Sequence, residues 1–153
     1  MEELDNIVNY KNSGLEKRLK TFISQLKRKK MTGSFIVAQE TANILKIAIS
    51  ISDGTAKQMM QLLKVIGKKL ISVAPIELAI GNIVRRFLSI IREVYSETEN
   101  ISSTSNYLSS PIDFEKDHNI KANVITEVDD FMHEFTNLYE LISEKASEHI
   151  HSK

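Results

Sequence analysis

The side chains in this sequence with chemistry to offer are four histidines, a set of arginines and a row of carboxylates. His149 and His151 stand two apart in the run Glu148-His149-Ile150-His151-Ser152. On a helix, positions i and i+2 point about 200° apart, so the two rings cannot share one metal ion. Neither His118 nor His133 stands at i, i+4 spacing from this pair. Cysteine is absent, which excludes a thiolate metal site and a disulfide framework. His133, beside acidic residues, reads as a surface histidine rather than a general base. No glycine-rich phosphate loop, nucleophile elbow or pair of catalytic carboxylates is present. The expectation is therefore a protein without catalytic residues, bound metal or cofactor.

Two charged sets remain. Arg85, Arg86 and Arg92 share one side of a helical repeat with Asn82. They read either as a solvated face with intrahelical pairs or as a guanidinium row that grips carboxylates or phosphates. Further along, Asn123, Glu127, Asp130, Glu134 and Asn137 recur at intervals of three and four. Like charges at that spacing repel by a few tenths of a kcal/mol per pair in an isolated helix, roughly. A row that tolerates this answers cations, borne either by a partner or by the rest of its own chain.

The charge distribution offers both. Residues 1–95 hold sixteen Lys and Arg against eight Asp and Glu, and residues 111–153 hold four against ten. The net charge is nonetheless zero. Neutrality argues against dedicated nucleic-acid binding, which needs a surplus of cations to release counterions. The densest cluster, Lys27-Arg28-Lys29-Lys30, closes a predicted helix, where cations oppose the negative end of the dipole.

The elements that must position these residues are helices. The 153 residues suffice for one domain, burying roughly 68–70% of the unfolded surface. Gly and Pro are scarce and apolar residues recur at helical spacing almost throughout. Leu15, Leu19, Phe22, Ile23 and Leu26 make a first amphipathic segment. Ser34 is the predicted N-cap of a second, with Val37, Thr41, Ile44, Leu45 and Ala48. Asp53 is the predicted cap of a third, carrying Met59, Leu62, Leu63, Ile66 and Leu70. Pro75 opens a fourth from about Ile76 to Tyr95. Its apolar side is Ile80, Ile83, Val84, Phe87, Ile90, Ile91 and Val94, and Gly81 within it predicts a close approach of a neighbouring helix or loop. Ser96–Ser110 reads as a flexible loop closed by Pro111, and residues 1–14 as an extension. A long last helix runs from Phe114 or Ile120 to His149, burying Ile120, Val124, Val128, Phe131, Phe135, Leu138 and Ile142. The predicted fold is all-α, a bundle of five to six helices. Met1 leads into Glu2 and Glu3 rather than a signal sequence. No apolar run approaches the ~20 residues of a membrane span. A cytosolic protein is expected.

The line Gly81-Asn82-Ile83-Val84-Arg85-Arg86, with Leu88, Ile90-Ile91-Arg92-Glu93 and Tyr95, resembles the regulatory alpha/beta/delta subunit family of eukaryotic translation initiation factor 2B, and its beta branch in particular. Phe22…Leu26-Lys27-Arg28 is similar to the family's first helix, and Glu148-His149-Ile150-His151-Ser152 to the junction with its Rossmann-like second domain, which is expected to be missing here. The resemblance implies a regulatory, non-catalytic part of a guanine-nucleotide exchange factor. It implies docking to the alpha subunit of initiation factor 2, whose docking surface is basic, and assembly with other initiation factor 2B subunits. Nucleic acid and membrane are not expected partners. Asn123 matches the family's contact asparagine, Asp130 stands where the family has a glutamate, and Thr126 replaces an acidic residue next to Glu127. The expected partner-binding residues are thus Asn123, Glu127, Asp130 and Glu134, with Asn82, Arg85 and Arg86 secondary. Two rivals stand beside this reading: a stand-alone adaptor holding a peptide helix in a groove lined by Met59, Met60 and leucines, and a remnant of a sugar-phosphate isomerase.

Overall fold

Five amphipathic stretches become five helices in a computed structural model that describes residues 13–31, 33–104 and 113–151. They are α1 (Ser13–Lys27), α2 (Ser34–Ile51), α3 (Ala56–Val73), α4 (Leu78–Thr104) and α5 (Asp113–His151). No strand occurs among the described residues. The predicted 1–14 extension lies mostly outside them, although Ser13 and Gly14 already belong to α1.

α2 is the centre of the molecule and packs against all four other helices. Its composition fits that position, since Val37, Ala38, Ala42, Ile44, Leu45, Ala48 and Ile49 are buried. By length and hydropathy alone α2 is as apolar as a short membrane span, and the side of it that packs against the other helices accounts for much of that apolarity. Thr41 is buried with them, and its Oγ1 donates to the Val37 carbonyl at 2.7 Å. Each fully buried leucine or isoleucine contributes about 1.5–3 kcal/mol.

The helix ends differ from the sequence expectation in instructive ways. Ser34 is the first residue of α2 rather than its cap; Gly33 is the cap, at φ 108°, and no side chain caps the helix. Only glycine enters that conformation freely. Asp53 does not cap α3 either. Gly54, at φ 94°, turns the chain once more, and the Thr55 hydroxyl accepts from the Gln58 amide at 3.2 Å. α1 ends in a Schellman motif: the Lys30 amide reaches the Gln25 carbonyl and the Lys29 amide the Leu26 carbonyl, with Lys29 at φ 52°. The basic cluster is the helix terminus that its position implied.

α4 begins two residues later than predicted, after a turn in which the Glu77 amide bonds the Ala74 carbonyl. It also continues nine residues past Tyr95, through the stretch read as loop. No Gly or Pro lies between Gly81 and Pro111, so nothing breaks the helix there. Thr98 is accommodated by donating back to the Val94 carbonyl at 2.9 Å. The rest of the predicted loop, 105–111, lies outside the described residues.

The apolar side predicted for α4 is buried in full. Its glycine plays a different part from the one expected. A Cβ on Gly81 would meet nothing closer than the Arg85 guanidinium at 3.5 Å, so no neighbouring helix approaches there. The close crossing lies at Gly67 of α3, where an added Cβ would stand 2.9 Å from Cγ1 of Val84 in α4.

Candidate docking surface on the last helix

α5 lies along α2 and α4. Near its start the Lys121 ammonium donates to the Ser52 carbonyl at 3.0 Å, at the far end of α2. Eight residues on, Asp129 pairs with Lys46. Phe135 and Tyr139 then stack on Phe35, in the first turn of α2, with ring centroids 5.2 and 3.6 Å away. α5 therefore runs antiparallel to α2. Against α4, Phe131 meets Phe87 edge-on at 6.2 Å, and the Arg86 guanidinium lies over its ring at 5.6 Å.

Ile120, Val124 and Val128 are fully buried, as their spacing predicted, and Phe131 and Phe135 are half-buried. Leu138 and Ile142 are not buried; they are 57% and 59% exposed. For Ile142 the reason is length. α2 has 18 residues and α5 has 39, about 27 and 58 Å at 1.5 Å per residue. Tyr139 reaches the first turn of α2, and from there α5 runs on beyond it. Leu141, 48% exposed, completes an uncovered apolar segment, while Tyr139, 44% exposed, keeps one face on Phe35.

Beside the buried side of α5 stands the row expected to bind a partner. Asn123, Glu127, Asp130 and Glu134 are all exposed. They fall within about 60° of the helix circumference. The helix brings these four together as their spacing required. No ion pair to Glu127, Asp130 or Glu134 occurs among the described residues. The link from the acidic back of the chain to its basic front is made by Asp129 instead. Sequence reasoning missed that residue because Asp130 beside it fits the row, whereas Asp129 points about 100° away.

The secondary set on α4 is exposed as well, with its hydrogen bonds turned inward. Arg85 donates to the Asn82 side chain at 2.6 Å. Arg86 approaches Glu93 at 3.8 Å, and Ser89 donates to the same carboxylate at 3.0 Å. These are the intrahelical pairs of a solvated face, and Arg86 also anchors α4 to α5 through Phe131. Of the residues read as lining a peptide groove, Met59, Leu62 and Leu63 are core residues and Met60 packs against them. An open cleft of 470 Å³ lies instead between α1 and α2, bordered by Lys17, Arg18, Phe22, Gln25, Met31 and Glu40. Arg18 and Glu40 bridge it at 2.9 Å, and that hydrogen bond with its attendant charge raises the Arg18 pKa above its ordinary value. His149 and His151 both lie in the last turns of α5. Among the residues whose side chains are described, no three His, Asp or Glu converge as metal ligands.

Comparison with known proteins places this geometry in a family. Residues 30–153 match the model of the initiation factor 2 subunit family. Translation initiation factor eIF2B subunit beta of Dictyostelium discoideum is 31% identical, over 86% of this chain and 47% of that protein. The Schizosaccharomyces pombe protein of the same name is 38% identical, over 50% of this chain and 20% of its own length. Among solved structures, eIF2B beta from Chaetomium thermophilum superposes with a TM-score of 0.65 at 26% identity, covering 85% of this chain and 41% of that one. The tetrameric eIF2B-beta2-delta2 complex from the same organism gives 0.61 at 25% identity, covering 82% and 36%. The chain thus spans less than half the length of each of these relatives. An all-α bundle matched by the family model over four-fifths of its residues, with eIF2B beta proteins similar to it in both sequence and structure, belongs to the initiation factor 2 subunit family.

Proposed function

We propose that this chain is a regulatory, non-catalytic element of the exchange factor for initiation factor 2, docking the alpha subunit of that factor on the outer face of α5. The observation that carries the reading is the acidic row. Glu127, Asp130 and Glu134 are exposed, aligned and without an ion pair among the described residues, although the chain has a surplus of cations in its first 95 residues. The bundle's own pairing of back to front uses Asp129 and leaves the row available. Exposed carboxylates in a row raise the local attraction for a basic surface and hasten encounter with it. Asn123 adds a neutral hydrogen-bonding group at one end.

The likeness to the beta subunit in a beta–delta complex supports assembly with other initiation factor 2B subunits. The work proposed is positional: one subunit holds the substrate's alpha chain while another performs exchange. Such a complex operates in the cytosol.

Titration of the purified alpha subunit of initiation factor 2 against this chain tests the proposal. Binding is expected to be weak and to weaken further as salt rises. The double variant Asp130→Lys/Glu134→Lys is expected to lose about tenfold or more in affinity, from the loss of two attractions and the gain of two repulsions. Binding that ignores both salt and the charge reversal would sink the docking assignment.

A further inference from the structure

Phe131, which meets Phe87 of α4 edge-on, divides the circumference of α5 into two flanks. Lys121, Phe135 and Tyr139, which touch α2 or its C-cap, lie about 40–80° from it in one direction. Glu127, Asp130 and Glu134 lie about 40–100° from it in the other. The acidic row therefore runs along the edge of α5 that borders α4. Arg86 of α4 reaches that edge, its guanidinium 5.6 Å from the centre of the Phe131 ring. Glu127 and Glu134 stand four residues before and three residues after the same ring, each about 5–6 Å away along the helix surface.

The way Arg86 is held decides what it can do. Contact with a ring uses the charge of a guanidinium and none of its hydrogen-bond donors. Glu93 is 3.8 Å away, beyond hydrogen-bond distance, and accepts instead from the Ser89 hydroxyl at 3.0 Å. No N–H of Arg86 has a hydrogen bond among the described residues. Its neighbour Arg85 differs, donating to the Asn82 side chain at 2.6 Å. Arg86 is thus a half-exposed cation seated by a ring and a carboxylate, with its donors unused, at the rim of three further carboxylates.

A partner that covers the row also covers Arg86, since a docking footprint is about 800 Å² on each side. Taking a guanidinium out of water without an acceptor opposes binding, so the docked surface has to bring one. A carboxylate fits the planar fork with two parallel hydrogen bonds. We propose that Arg86 is a specificity-determining residue of the docking surface and takes a carboxylate of the docked alpha subunit. The inference rests on the docking function proposed for the α5 row. The complementary surface is then basic over α5 and acidic where it crosses to α4. Such mixed charge turns away a uniformly basic surface that the row alone would accept.

Titration of the purified alpha subunit of initiation factor 2 against variants of the full chain tests this. Arg86→Gln is expected to weaken binding by about tenfold, and Arg86→Glu by more, with the helical circular dichroism unchanged. The same Arg86→Gln change made in a Phe131→Leu background is expected to weaken binding again, because the guanidinium contacts the partner directly. An Arg86→Gln chain that binds as tightly as wild type, or more tightly, would overturn the proposal, the second result being that of a cation that only repels a basic partner. So would an Arg86→Gln change without effect in the Phe131→Leu background, which would mean that Arg86 acts only by seating the ring. Asp130→Lys/Glu134→Lys, measured alongside, separates the two levels. Binding lost there but kept in Arg86→Gln removes the Arg86 assignment and leaves docking on α5 intact, whereas indifference of every variant removes both.

Discussion

A methyl group on Gly67 would press on the side chain of Val84 at 2.9 Å, while one on Gly81 would find only a mobile guanidinium at 3.5 Å. Two helical glycines therefore have opposite expected responses to the same change. Gly67→Ala forces α3 from α4 and is expected to destabilise the protein by about 1–3 kcal/mol. Gly81→Ala relieves the conformational cost of glycine and is expected to stabilise it by up to about 1 kcal/mol. Urea unfolding of the two variants beside the wild type checks both signs. The contrast also shows what residue-level reading can reach. The apolar sides of α4 and of the first half of α5 were legible, because a helix repeats its own geometry and needs no other information. Which glycine receives a neighbour was not, since that depends on where two helices cross. The same limit separates Asp130 from Asp129. Spacing shows that the first belongs to a row, but only the antiparallel seating of α5 on α2 gives the second its lysine.

Among elements, the ends are set by backbone turns more than by the polar residue nearest the apolar pattern. Ser34 and Asp53 both have the side chain of a cap, and each stands one or two residues from the true one. Gly33 and Gly54 decide the matter by admitting positive φ where the chain must turn. Thr55 then supplies the side-chain bond at the head of α3. Thr55→Ala is expected to lower stability by about 1 kcal/mol, whereas Asp53→Ala is expected to fall within about 0.5 kcal/mol of wild type. Thermal unfolding of the pair distinguishes them. The long last helix was itself legible, and what the sequence left open is where the bundle stops covering it. Its periodicity continues unchanged past Tyr139, so the pattern reads Leu138 and Ile142 as core. Ile142 is exposed because α5 runs on past the first turn of α2, and Leu138 is exposed although Tyr139 beside it still reaches that turn.

For the whole molecule, the central place of α2 sets the order in which parts of the structure come apart. All four other helices pack on it, and eight of its residues are buried. No one of the other helices can leave without exposing part of it. The end of α5 beyond Tyr139, by contrast, is exposed at every residue from Leu141 to Glu148. Backbone amides are thus expected to separate into two classes in heavy water. Those of α2 exchange only through global opening and report the full unfolding free energy, while those of residues 141–148 exchange through local fraying. Amide exchange resolved by residue checks this, and α2 amides exchanging as fast as the α5 end would contradict it. On that expectation the chain is a rigid hub bearing a compliant lever, whose last turns open without disturbing the core that holds the rest in place.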